Sequence, residues 1–541
     1  MEINHMANGF EFTVPSTVQT PFCNKTVSAE LTQEFVLPDY SPEMRKLLRV
    51  TPTVQPPSRF LGIGEAEFSG NVCFSVLYLG ADGAPYSTEL SLPYSFRTPI
   101  ENDERTASDR PICTDAAISV DSVSPRLNAP RKLRIHCRLS ALITGLYDVE
   151  TDMNVPHDGD DRPETRETVL AVARTAFAAG EIMELTDELT VPAGEGELRL
   201  IESGGAVQLL ETTLTESTVT CRGELHWKVL LTRDPAGGEP AEETATAAPA
   251  ADAPIEVLTR RIPFSQEIEL SAVPSHGTWE VMACGTCTGI TARVEEDRVL
   301  CAATVALEAQ VQGSEDRTFV CDCFSTKYQS TCEMRRYVCR RPVLCLNGNV
   351  TEGGTIALAD AGIPTGSTPI DLSADAVSLA AVCERGRAVL VGEGRYRLLY
   401  RTAEGELGCA EFRLPLRYEI AEAGGLGENC ALLGDVRAVM LGGRARTDGE
   451  SLTVDAEWAL AARIYTEESV EAVSELHPGE AWESTQGAYV LCYPARGETL
   501  WNIAKRYHTA IRPLAALNRL SGAADPATPA SLEGVRFLMI G

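Results

Sequence analysis

The sequence predicts a mainly β protein: three repeated β-sandwich-like units followed by a small α+β module of βααβ form. Three observations carry this expectation. A glycine-to-proline hairpin frame recurs along the chain, the runs around it alternate apolar and polar residues with the period of a strand, and the last fifty residues switch to helical spacing.

The repeat is clearest in SGNVCFSVLYLGADGAPYSTELSLPYSF and VGEGRYRLLYRTAEGELGCAEFRLPLRY. Gly70 precedes Tyr78 as Gly392 precedes Tyr400, and Pro93 and Pro415 each follow their glycine by 23 residues. Asp82-Gly83 and Glu404-Gly405 supply the turns of two β-hairpins. The middle copy runs from Gly223 to Pro263, a spacing of 40, and the 17 extra residues fall in an Ala-, Pro-, Glu- and Thr-rich run. Such a run buries no core and is expected to be a flexible insertion over 234–254. With it discounted, the glycines lie 153 and 152 residues apart. Glu-Leu-Thr begins eight residues before Pro38 and again before Pro192, and the third copy, ending at Pro364, is degraded.

Each unit closes on paired strand-like runs. In the last, Leu452, Val454, Ala456, Trp458, Leu460, Ala462 and Ile464 share one face, with Thr453, Asp455, Glu457 and Arg463 on the other. A short helix is expected near Pro42 to Leu48. The resulting division is 1–155, 156–330 and 331–476 for the repeats, 477–487 for a linker and 488–541 for the terminal module.

A length of 541 residues, 44% hydrophobic and 23% charged, is that of a globular chain of several domains. The net charge of −30 opposes nucleic acid and anionic membrane as partners. The charge is uneven: from Thr485 to Gly541 six basic side chains stand against three acidic ones, leaving −33 on the rest. The N-terminus has neither a basic n-region nor an apolar h-region, and no run reaches the roughly 18–20 apolar residues of a membrane span. The 17 cysteines, odd in number and scattered, then read as reduced thiols of a cytoplasmic protein.

In the terminal module Leu500, Ile503, Ala504 and Tyr507 form one apolar helical face, with Thr499 at the N-cap position and Gly497 in the entering turn. A second helix is expected with Pro513 in its first position and Leu514 and Leu517 facing inward, then a strand from Val535 to Ile540. Gly497, Glu498, Thr499, Leu500, Ile503, Ala504 and Tyr507, followed by Leu514 and Asn518, resemble the LysM signature G-[DE]-T-L-x-x-I-A-x-x-Y then L-x-x-x-N. That resemblance implies a shallow ligand groove walled by Gly497, Glu498, Thr499, Leu500 and Trp501 on one side. Asn518, Arg519, Leu520 and the residues to Gly522 form the other, with Lys505 nearby. Trp501 is out of phase with the apolar face and is expected at least half exposed, as a partner-binding lip. The segment HPGEAWESTQG is expected to hold the module at arm's length from the body. Pro494 and Glu498 depart from the usual LysM pattern.

The repeats, the lead-in EFVLPDYSPEMRKLLRV, the CDCFSTKY turn and the terminal LysM together resemble the SPOCS-domain family of clostridial spore-coat morphogenetic proteins (SipL-like). The resemblance implies a role in the mother-cell cytoplasm at the forespore surface. There it implies a LysM that docks on the basement-layer ATPase of the coat, with other coat proteins as further partners. Peptidoglycan is the alternative ligand of the same groove.

Signals for catalysis are weak. Cys284 and Cys287 form a CxxC, with Cys321 and Cys323 downstream, but the first pair lies in a strand-like run where residues three apart face opposite sides. Buried or half-buried thiols are the better reading, with no metal and no cofactor. The seven histidines stand singly, no G-x-S-x-G elbow occurs, and the glycine runs at 353–354 and 424–427 read as hairpin tips. The expectation is a protein that is not an enzyme, with no catalytic residues.

Overall fold

The computed structural model describes residues 17–62, 64–99, 113–153, 163–234, 254–270, 278–427, 430–483, 489–520 and 525–541. The insertion expected over 234–254 lies almost wholly outside them.

Each repeat builds the same six long strands. The first has β1 (Thr17–Val36), β2 (Met44–Val54) with a short continuation β3 (Ser58–Leu61), β4 (Glu65–Gly80), β5 (Pro85–Pro99), β6 (Cys113–Ala129) and β7 (Lys132–Glu150). The second has β8 (Glu164–Thr190), β9 (Glu197–Leu214), β10 (Thr218–Asp234), β11 (Ile255–Glu269), β12 (Thr278–Glu295) and β13 (Arg298–Phe324). The third has β14 (Tyr328–Ala357), β15 (Thr368–Glu384), β16 (Arg387–Arg401), β17 (Leu407–Gly424), β18 (Leu433–Asp448) and β19 (Ser451–Ala481). In every unit the first, last and fifth strands pair as one sheet, and the second, third and fourth as another. In the third unit β15 and β18 also bond, at Asp375 and Val439, joining the two halves into a single six-stranded sheet.

The hairpin frame reappears as identical register. Gly70 lies opposite Tyr94, Gly223 opposite Phe264 and Gly392 opposite Leu416, and each proline faces the residue after its glycine. The glycines are there for space. A Cβ on Gly70 would sit 2.6 Å from the Tyr94 hydroxyl, and one on Gly223 2.2 Å from the Gln208 carbonyl oxygen. Each unit holds its own core between its two layers of strands, which in the third unit are halves of one sheet. The alternating face of β19, from Leu452 to Ile464, is buried in the third. Arg463, expected on a solvated face, is buried too, because that side of β19 meets Gln310 of the second unit.

Two expectations are corrected. Met44 to Leu48 is strand, not helix, since β2 pairs along β4 through two bulges and tertiary pairing overrides the local helical spacing. Gly353-Gly354 is no hairpin tip but lies inside β14, where Gly353 passes against the Val454 carbonyl.

The three units close into a pseudo-threefold ring. Leu48, Ile201 and Ile370, with Leu77, Leu230 and Leu399, are equivalent positions in the repeat frame, and all six meet in one apolar cluster. One residue further along, the same frame places Arg49, Glu202 and Asp371 together. Arg49 donates to Asp371 Oδ2 at 2.7 Å and to Glu202 Oε2 at 2.5 Å, all three being buried. The neighbouring strands repeat a cyclic contact: Ser75 of unit one bonds Glu202 of unit two at 2.7 Å, and Lys228 of unit two bonds Asp371 of unit three at 2.8 Å. The third equivalent, Arg397, would face Arg49; it pairs instead with Asp375 and Glu411 of its own unit. Beside this axis the units enclose a cavity of about 1450 Å³ whose wall carries charges of both signs, among them Arg261, Arg446, Asp375 and Glu457.

Among the described residues, Arg49 is the one cation that pairs with both axis acids. Replacing it with Met leaves two desolvated carboxylates short of a partner and is expected to cost about 3–5 kcal/mol. Further replacement of Glu202 and Asp371 by Leu should restore most of that loss, as read by urea denaturation. Burial alone would raise the Asp371 pKa, but Lys228 and Arg49 outweigh it and hold the carboxyl below its usual range. A depressed folded-state pKa gives stability that is complete above the unfolded value of about 3.9 and is lost as pH falls through the folded value. Asp371→Asn should therefore flatten the decline of denaturation midpoint below about pH 4 while lowering the midpoint at neutral pH.

Candidate functional site: the C-terminal module

The terminal module is β20 (Val490–Cys492), α1 (Leu500–Arg506), α2 (Ile511–Leu517), a 3-10 turn at Pro529–Leu532 and β21 (Leu538–Ile540), with β20 and β21 antiparallel. Leu500, Ile503 and Ala504 are buried against Leu514, Leu538 and Ile540 as the helical spacing predicts. Two boundaries differ from expectation. The last strand begins at Leu538, not Val535, and α2 begins at Ile511, which makes Pro513 its third residue.

The start of α1 is closed by the protein itself. Gly497 turns the chain at φ +84° and Thr499 caps the helix, its hydroxyl accepting from the Asn502 amide at 3.1 Å. The Leu500 amide donates to Ser531 Oγ at 3.1 Å and the Trp501 amide to the Pro526 carbonyl at 2.9 Å. Glu498 accepts from the Ala495 amide at 2.9 Å and pairs with Arg506. These bonds satisfy the first-turn donors that every helix leaves free.

Trp501 is not a half-exposed lip. It is 1% exposed, with its indole edge-on to Phe324 at 5.2 Å and Nε1 donating to Asp322 Oδ2 at 2.8 Å. Lys505 reaches the other oxygen of Asp322 at 2.5 Å. His508 donates from Nδ1 to the Ser325 carbonyl at 2.8 Å, and its ring stacks on Trp482 at 4.2 Å. Asp322 and Phe324 lie at the end of β13 and Ser325 opens the turn to β14, so the module is fastened to the body where unit two passes into unit three.

The expected arm's-length linker is therefore corrected as well. His477 to Ala481 continues β19, paired with β14 as far as Tyr328, and the Trp482 amide bonds the Lys327 carbonyl at 2.7 Å. The rest of that segment, 484–487, lies outside the described residues.

The second wall of the expected groove has mixed roles. Asn518 clamps the last strand, donating to the Leu514 and Met539 carbonyls and accepting from the Met539 amide at 2.6 Å. Leu520 packs on the module core, and Arg519 is exposed at φ +55°. Residues 521–524 lie outside the described residues. Of the nine expected groove residues, Gly497 and Arg519 are exposed; Thr499, Leu500 and Trp501 are buried, and Glu498, Lys505 and Asn518 carry structural bonds.

Sequence reasoning missed two features. Trp501 and Lys505 are spaced i, i+4 on α1, a second stripe beside the apolar one, with His508 just past the helix end, and this spacing was the available signal for the dock. On the outside of β20 and β21, Tyr489, Leu491, Tyr493 and Phe537 are exposed, with the Tyr493 and Phe537 rings 6.3 Å apart.

Ligands for a metal gather in one group among the described residues, Glu333, Glu475 and His477. The imidazole lies between the carboxylates, each ring nitrogen 3.6 Å from one of them. The Cys284–Cys287 and Cys321–Cys323 pairs form no such group there. Burial pushes Cys284 up to about 12 and Cys287 to about 11, leaving both as neutral thiols. Among the described residues no helix is long and apolar enough to cross a membrane.

No curated protein and no solved structure matches the chain. Residues 495–525, from the turn before α1 to the loop beyond α2, match the LysM domain.

Proposed function

We propose that the chain is a non-catalytic scaffold of bacterial endospore coat assembly, working in the mother-cell cytoplasm at the forespore surface. In this reading the LysM module contacts the basement-layer ATPase of the coat and the three-unit ring presents surfaces to other coat proteins. The observation that carries it is the fixed seat of the module. Trp501, Lys505 and His508 hold it on the end of β13 and the turn into β14, so whatever grips the module also grips the whole ring. The order of three β repeats followed by LysM, and its resemblance to the SPOCS-domain coat proteins, supply the partner.

Peptidoglycan is the second reading, favoured by the LysM match itself. The two separate in one experiment with the full chain, its binding measured to the purified coat ATPase and to purified peptidoglycan. The scaffold reading expects saturable binding to the ATPase, reduced about tenfold by Arg519→Glu, which reverses an exposed charge at the groove. Retention on peptidoglycan with no affinity for the ATPase would replace it with the glycan reading.

The seat has its own test. Asp322→Ala strands the buried indole N–H of Trp501 and the Lys505 ammonium, at a cost of about 1–3 kcal/mol to the docked state. Hydrogen exchange should quicken across 499–508 in the variant while the β10–β11 ladder stays protected.

A further inference from the structure

The two strand ends beside the module's seat also hold two thiols in contact. Cys323, near the end of β13, and Cys332, near the start of β14, lie with their sulfurs 3.3 Å apart, and the Cys332 thiol faces the Cys323 carbonyl at the same distance. The strands that carry them belong to different sheets, β13 pairing with β8 and β14 with β19. A bond between the two sulfurs would thus join unit two to unit three by side chains as well as by the turn. Cys323 packs with Val473 and Leu476 of β19, while Asp322 and Phe324 on either side of it reach the module.

We propose that Cys323 and Cys332 are a disulfide-forming site that staples the unit two–unit three junction beneath the module. A small approach of the sulfurs, about 1.3 Å, brings them to bonding distance, and the turn between them spans only a few residues. Their environments divide the chemistry. Burial, and then the adjoining Cys332 thiol, push the Cys323 pKa up, whereas Cys332 is only half-buried and is the thiol an oxidant meets first. With a peroxide as oxidant, the Cys332 sulfur takes one oxygen to become a sulfenic acid and water is released. The Cys323 sulfur then displaces the sulfenic hydroxyl, the S–S bond forms, and a second water carries away the Cys323 proton. The site does not depend on what the module binds.

Peptide mapping of the folded full chain after brief treatment with hydrogen peroxide tests the proposal, with remaining thiols blocked before digestion. Trypsin cuts after Arg317, Lys327 and Arg335, which places Cys321 and Cys323 in one peptide and Cys332 in the next. The expected product is these two peptides joined and lighter by two hydrogens than their sum, with fragment ions locating the bond at Cys323. The link should survive Cys321→Ser and vanish in Cys332→Ser. A bond located at Cys321, or both peptides recovered with blocked thiols while other cysteines have oxidised, would overturn it. The wild-type fragment spectrum decides the matter even if a variant folds poorly.

Discussion

At the centre of the ring, residues from three separate stretches of chain must share one desolvated place. The repeat frame sends positions 49, 202 and 371 there, and no one charged residue type could occupy all three: three arginines or three carboxylates would repel without water to screen them. The chain resolves this with one cation and two acids, adding Lys228 and Ser75 from the adjoining strands. The apolar cluster of six equivalent Leu and Ile residues lies alongside, so the ring is closed by an oily layer and positioned by a charged one. The three units that pack their own cores are brought together at that closure.

Departures from symmetry are located where symmetry would be costly. Arg397 abandons the contact its equivalents make, since that contact would set it against Arg49. The third unit bridges β15 to β18 at Asp375 and Val439, and among the described residues the corresponding strands of the other two units are not paired. Three copies of one plan thus carry separate tasks: the second unit contributes Asp322 and Phe324 to the seat, and the third contributes Trp482.

Much of the fold was legible because a strand records its surroundings every second residue. The Leu452-to-Ile464 alternation, the hairpin glycines and the constant interval between them all report local geometry, and all recur in the sheets. What could not be read was contact between units. Arg463 looks solvated beside its own strand neighbours, and nothing nearby in sequence announces Gln310 on the other side. Met44 to Leu48 has helical spacing, yet β4 is its partner. At the candidate site the motif gave the module's interior correctly through Leu500, Ile503 and Ala504, whereas the placement of Trp501 failed. Its phase on α1 was right and the assumption that the adjacent face was water was wrong.

α1 has seven residues, fewer than a helix needs to persist unaided, and both of its long stripes are covered, one by its own module and the other by the body. Phe324 of the ring is counted in the module's core. The piece that sequence marks as a transferable cassette is, in this chain, continuous in its packing with what precedes it. Cutting between them would leave an indole bare on one side and a phenyl ring on the other. A stretch that the sequence motif sets apart therefore depends, for the cover of its first helix, on side chains from the ring.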